Sequence, residues 1–119
     1  MANIVACNLG SYRGQFSRQE AYGHLNQIGL TNVEVGTPAP QEIGSVLEEL
    51  DSYGLTATTI TASHDVKSEN FVSDFQKTLE ATRKMEVNRI FLSAHGGDLP
   101  REVVFNRLRE LGENAQKLG

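Results

Sequence analysis

Apolar and polar positions along the chain switch repeatedly between two periods, short runs that alternate or are β-branched and longer stretches spaced at three and four. Asn3 to Leu9 (NIVACNL) is a short apolar run bounded by Gly10 and predicts a first strand. Ser17 and Glu20 then stand three apart, just before Ala21, Leu25 and Ile28. That is capping-box spacing, in which each side chain satisfies a free amide at the start of a helix. Gly29 supplies the left-handed stop. Asn32 to Gly36 (NVEVG) predicts a second strand, with Val33 and Val35 on one face and Glu34 on the other.

Thr37-Pro38-Ala39-Pro40 opens a second helix, because proline costs nothing in a first turn where the amide has no partner. Ile43, Val46, Leu47 and Leu50 form its buried stripe and Gly54 its end. Thr56 to His64 (TATTITASH) is β-branched and predicts a third strand, with Thr59, Thr61 and Ser63 making one face polar. Phe71, Phe75, Leu79, Thr82 and Met85 follow at helical spacing. Arg89 to Asp98 (RIFLSAHGGD) predicts a fourth strand running into a turn. Ile90, Leu92 and Ala94 alternate there with Phe91, Ser93 and His95, so the strand delivers His95 at its carboxyl end. A last helix from about Pro100 carries Val103, Val104, Leu108, Leu111 and Ala115.

Four strand-helix units in strict alternation specify an α/β fold, with a parallel sheet in sequential order and right-handed crossovers. Residues 1–119 form a single domain in this reading. A complete eight-unit barrel takes roughly 250 residues, so 119 residues have the length of half of one. Helices on one face would leave the other face and both sheet edges open. Self-association or poor stability is the expectation.

The composition is that of an ordinary globular protein, 39% hydrophobic and 22% charged. The net charge is −4 and Lys and Arg are scattered, which speaks against nucleic acid as a partner. No apolar run approaches the roughly 20 residues needed to cross a bilayer, and no basic stretch precedes an apolar one at the amino-terminus. No membrane partner is expected, and the location expected is cytoplasmic. The single cysteine, Cys7, cannot form an internal disulfide and reads as a small buried apolar residue.

Two residues stand where parallel α/β folds do chemistry, at strand carboxyl ends, His64 and His95, and Glu34 lies within the second strand. Glu34 between two valines either pairs with a neighbour or lines a polar cavity, because burial without a partner costs several kcal/mol. The two histidines end adjacent strands about 4.8 Å apart, which would let both imidazoles open onto one concavity with Glu34 deeper on the same inner face. The third strand works against this arrangement. Turning His64 inward leaves Thr59, Thr61 and Ser63 against the helices, a poor apolar contact. Either histidine could instead be a hydrogen-bonded structural residue. His24 falls mid-helix and reads as a surface residue; Asp65 and Asp98 read as helix caps. Gly96-Gly97 before Pro100 is a weak signal for an anion-cradling loop. No GxGxxG, P-loop, nucleophile elbow or Cys-x-x-Cys is present.

Taken together, IGLTNVEVG (28–36), LEELDSYGLTAT (47–58), ASHD (62–65), RIFLSAHGG (89–97) and LRELGENAQKLG (108–119) resemble the sugar phosphate isomerase/epimerase family. That family has the xylose-isomerase-like TIM barrel and includes endonuclease IV. The resemblance covers nearly the whole chain but only the first half of the family's fold. It implies an active site at the carboxyl ends of the strands around a divalent metal such as Mn, Mg, Co or Zn, and a sugar or sugar phosphate as substrate. It also implies that the metal-binding groups and proton-shuttling acids of the isomerase branch come mainly from the second half, so this chain alone is expected to be inactive and to bind no metal tightly. His64 and His95 carry over as substrate contacts in the isomerase branch or metal ligands in the endonuclease branch, and Glu34 as a polar residue of the barrel interior. A third possibility is a non-enzymatic half-barrel that binds a small molecule or associates with a second copy through its open edges.

Overall fold

A computed structural model describes residues 3–119. Four parallel strands, β1 (Ala6–Asn8), β2 (Asn32–Gly36), β3 (Thr56–Ala62) and β4 (Ile90–Leu92), lie side by side in sequence order. They alternate with four helices, α1 (Arg18–Gln27), α2 (Ile43–Ser52), α3 (Phe71–Lys84) and α4 (Arg101–Leu118). This is the expected α/β order of four units. The edge strands are shorter than the sequence suggests: Leu9–Tyr12 turns into a 3-10 helix directly after β1, and pairing with β3 stops at Leu92, leaving Ser93 to His95 beyond the strand. Among the described residues each edge strand has a neighbour on one side only, so less of it is held in extended pairing.

The capping box forms as read. Glu20 N–H donates to Ser17 Oγ at 3.1 Å, and Ser17 N–H donates to Glu20 Oε2 at 2.7 Å. Gly29 and Gly54 end α1 and α2 with φ of 77° and 68°. α3 ends without a glycine: Glu86 takes the left-handed position itself, at φ 58°. Its amide donates to Arg83 O and that of Val87 to Thr82 O, which closes the helix. The two aspartates do not cap helices. Asn70 and Pro100 occupy the cap positions of α3 and α4, while Asp65 accepts from Lys67 N–H within a turn.

The core lies on one side of the sheet. Val33, Val35 and Ile60 pack with Tyr22 and Leu25 of α1, Ile43 and Leu50 of α2, and Ala81 of α3. A second cluster joins Phe71, Phe75 and Leu79 of α3 to Leu111 of α4, with Ala62, Ile90 and Leu92 against it. All four helices therefore cover the same face. Full burial of a side chain of this size contributes about 1.5–3 kcal/mol, so the helix layer carries most of the stability. Polar ties add order: Arg107 of α4 donates to Val66 O at 2.7 Å, and Asn26 to Tyr53 O at 2.7 Å.

Tyr22 is 4% exposed, and this burial raises its phenol above the ordinary value of 10.0. Arg18 works in the opposite direction and Glu49 in the same one. A folded-state value above the unfolded one means that the contribution is intact below pH 10 and is lost as pH rises through the folded value. Denaturant titrations at pH 8 to 11 should therefore show stability falling at the alkaline end, and falling less steeply in Tyr22→Phe. Equal slopes would show that another group controls the loss.

Candidate functional site

The helix-free face of the sheet carries the polar residues. In β2 the alternation that buries Val33 and Val35 on the helix side turns Glu34 to the opposite side. Asn8 at the end of β1, paired in register with Glu34, donates from Nδ2 to Glu34 Oε2 at 3.1 Å. Asn8 is itself fixed, because its Oδ1 accepts from Gly10 N–H at 2.8 Å. Glu34 thus has a neighbour and also lines a cavity: a recess of about 240 Å³ bounded by Ile4, Ala6, Thr58, Thr59, Arg89 and Phe91. Pockets for small ligands run from about 300 to 1,000 Å³, so this recess is smaller than a usual ligand site.

β3 settles the position of His64. Val33 pairs with Ala57 but Glu34 with Thr59, so Thr58 is an extra residue that shifts the register of the strand. A bulge of this kind resets which residues face which side. Beyond it Ile60 and Ala62 pack with the helices, and Thr59 lines the recess beside Glu34. His64 follows the helix-facing set. Its Nε2 lies 2.8 Å from Thr78 Oγ1 of α3, and its ring centroid is 4.9 Å from that of Phe75. The expectation that His64 opens inward beside His95 is not met. The physical reason is the one visible in the sequence: a polar Thr59 against the helices costs more than a histidine whose nitrogen finds a hydroxyl partner.

His95 lies past the end of β4 and is exposed. Gly97 N–H donates to its Nδ1 at 3.2 Å, which leaves Nε2 as the donor of the neutral ring. The glycines after it serve packing. A Cβ at Gly96 would meet Val104 Cγ2 at 2.7 Å, and Gly97 adopts φ 56°. Sequence reasoning missed Asn8, which orients Glu34; its offset from Glu34 is set by strand register, and no local motif marks it.

Among the described residues no three His, Cys, Asp or Glu side chains stand close enough to hold a metal ion. Glu34 is paired with the Asn8 amide and His64 with Thr78 of α3. No helix among the described residues is long and apolar enough to cross a membrane. The larger cavity, about 540 Å³, lies away from this chemistry, on the helix side between α3, α4 and β4.

No protein-family model matches the sequence, and no curated protein sequence does. Solved structures do match in shape. The protein SMc04130 from Sinorhizobium meliloti 1021 superposes with a TM-score of 0.74 at 16% identity, over 98% of this chain and 48% of that one. A sugar phosphate isomerase/epimerase from Parabacteroides distasonis ATCC 8503 gives 0.72 at 16% identity, over 97% of this chain and 48% of its own. The chain thus spans about half the length of the structures it matches, and it has the fold of one half of a TIM-barrel-like isomerase/epimerase.

Proposed function

We propose that the chain is the amino-terminal half of a sugar or sugar-phosphate isomerase or epimerase, in which Glu34 and His95 contact the substrate. The observation that carries this reading is Glu34, a carboxylate oriented by Asn8 on the helix-free face of the sheet. A fixed carboxylate accepts from sugar hydroxyls, and His95 Nε2 can donate to a sugar or phosphate oxygen. The divalent metal and the proton-shuttling acids that the resemblance implies would lie outside the stretch matched here. His64 has a structural role in this proposal. That removes one of the two histidines an endonuclease-IV-like zinc site would need, and the net charge of −4 gives no support for DNA.

Titration of a ribose or hexose phosphate into the isotope-labelled chain should give weak, saturable NMR shifts at Asn8, Glu34 and His95 to Gly97. Glu34→Gln should weaken binding about 10-fold or more, the effect of losing a hydrogen bond to a charged group. The chain alone should show no isomerase turnover and no micromolar Mn(II) site. Shifts confined to the helix side of the sheet, or none at all, would sink the substrate reading.

A further inference from the structure

Four polar residues fall on one line across the sheet. Asn8 pairs in register with Glu34 and Glu34 with Thr59, and Arg89 stands one residue before Ile90 just as Thr59 stands one before Ile60, the partner of Ile90. The ladder holds to that point, since Ile60 N–H donates to Arg89 O at 3.0 Å. Residues level with one another in paired parallel strands share a side, and Glu34, Thr59 and Arg89 all line the concave recess. Ile4, Ala6 and Phe91 make the apolar part of its lining. The bonding of the polar row is incomplete. Glu34 Oε2 accepts from Asn8, while Oε1 has no partner among the described residues. Arg89 is exposed and makes no ion pair there; the pair that forms is Arg18 with Glu49, between α1 and α2. Thr59 is 4% exposed, yet its hydroxyl has no hydrogen-bond partner among the described residues. None of their side-chain oxygens is both sealed from solvent and unpaired, so this hydroxyl meets solvent, and it does so in the recess. A nearly buried hydroxyl that opens into a cavity is a group left for a ligand or for water.

We infer that this row binds a 2-hydroxy acid of three or four carbons. The guanidinium of Arg89 takes the carboxylate, for which its planar fork of donors is shaped. Glu34 Oε1, an acceptor only, takes a hydroxyl proton at the other end, and the Thr59 hydroxyl bonds to the oxygen between them. Size sets the length of the molecule. Two strand spacings of about 4.8 Å separate the backbones of Glu34 and Arg89, and the side chains reach in from both ends. At about 30 Å³ per water, the recess of about 240 Å³ has room for about eight waters, which a hydroxy acid of three or four carbons fills and a hexose phosphate exceeds. The inference rests on the reading of Glu34 as a substrate contact and adds to it an anion-binding end and a limit on size. Every group it uses lies on or beside the four strands already described.

Titration of D-glycerate into the isotope-labelled chain should give saturable NMR shifts at Glu34, Thr59 and the side-chain Nε–H of Arg89. Glycerol, which lacks the carboxylate, and acetate, which lacks the hydroxyls, should each bind at least 10-fold more weakly, the effect of losing a hydrogen bond to a charged group. Arg89→Gln should weaken glycerate binding by about 10-fold or more, and Thr59→Val, which keeps the shape and removes the hydroxyl, by about 5-fold. Arg109→Gln makes the same charge change at an exposed position of α4 and should leave the affinity unchanged. Both site variants should keep the circular dichroism of the parent chain, because Arg89 is exposed and valine fits the space of threonine. Three results overturn the inference: no shift at Thr59 and Arg89, glycerol binding as well as glycerate, or an Arg109→Gln loss equal to that of Arg89→Gln. If sugar phosphates still shift Glu34 and His95 in that case, the proposed function stands without it. Glycerate bound at the row, with no response to sugar phosphates, supports the inference and removes the sugar-phosphate reading alone.

Discussion

Phe75→Ala is expected to lower the unfolding free energy by about 3–5 kcal/mol, the range for deleting a buried aromatic ring. Phe75 is 1% exposed and sits where three parts of the fold meet. Its ring packs edge-on to Phe71 at 5.6 Å, tilts against His64 at 4.9 Å, and lines the groove beside Leu79 and Leu108. Because that groove is already open, the site cannot collapse onto a neighbour, and the cost should fall at the upper end. A domain of this size has only about 5–15 kcal/mol in total, so the substitution should remove a large fraction of its stability. Urea denaturation followed by circular dichroism measures this directly; a loss under 1 kcal/mol would mean that the second cluster does not hold α3 and α4 together.

Much of this architecture is legible in the sequence because it is written in local rules. Ser17 and Glu20 mark the start of α1 by spacing alone, and Gly29 and Gly54 mark helix ends by the one backbone conformation they tolerate best. Val33, Glu34 and Val35 declare the two faces of β2. Where the rules are not local, the sequence is silent. Nothing near Thr58 announces a bulge, since its cause is the register between β2 and β3, and Thr58 Oγ1 reaching Val33 O at 3.5 Å is a contact across the sheet. The end of α3 is hidden for a different reason: Glu86 performs a glycine's role at some conformational cost. For the candidate site, the inward face of Glu34 and the turn of His64 toward the helices could be read from alternation, whereas Asn8 depends on pairing between distant segments.

His64→Ala should cost about 2–3 kcal/mol, which distinguishes a structural histidine from one held in reserve for substrate. The substitution removes a ring that touches Phe75 and a nitrogen 2.8 Å from the hydroxyl of Thr78, a residue with no exposure at all. Losing a partner for a buried polar atom costs about 1–3 kcal/mol. The penalty is moderated here because Thr37 Oγ1 lies 3.3 Å from the same hydroxyl and can take over part of the pairing. The lost ring contact adds to it, since aromatic pairs contribute about 0.5–1.5 kcal/mol beyond area burial. Thr78→Val should cost less, and the double variant less than the sum of the two, because both single changes break one interaction. A coupling of at least 0.5 kcal/mol is the expected sign of contact. Additive losses would mean that the imidazole does not engage Thr78 in solution. A negligible loss on His64→Ala, combined with weaker sugar-phosphate binding, would return His64 to the concave face and restore the shared histidine site.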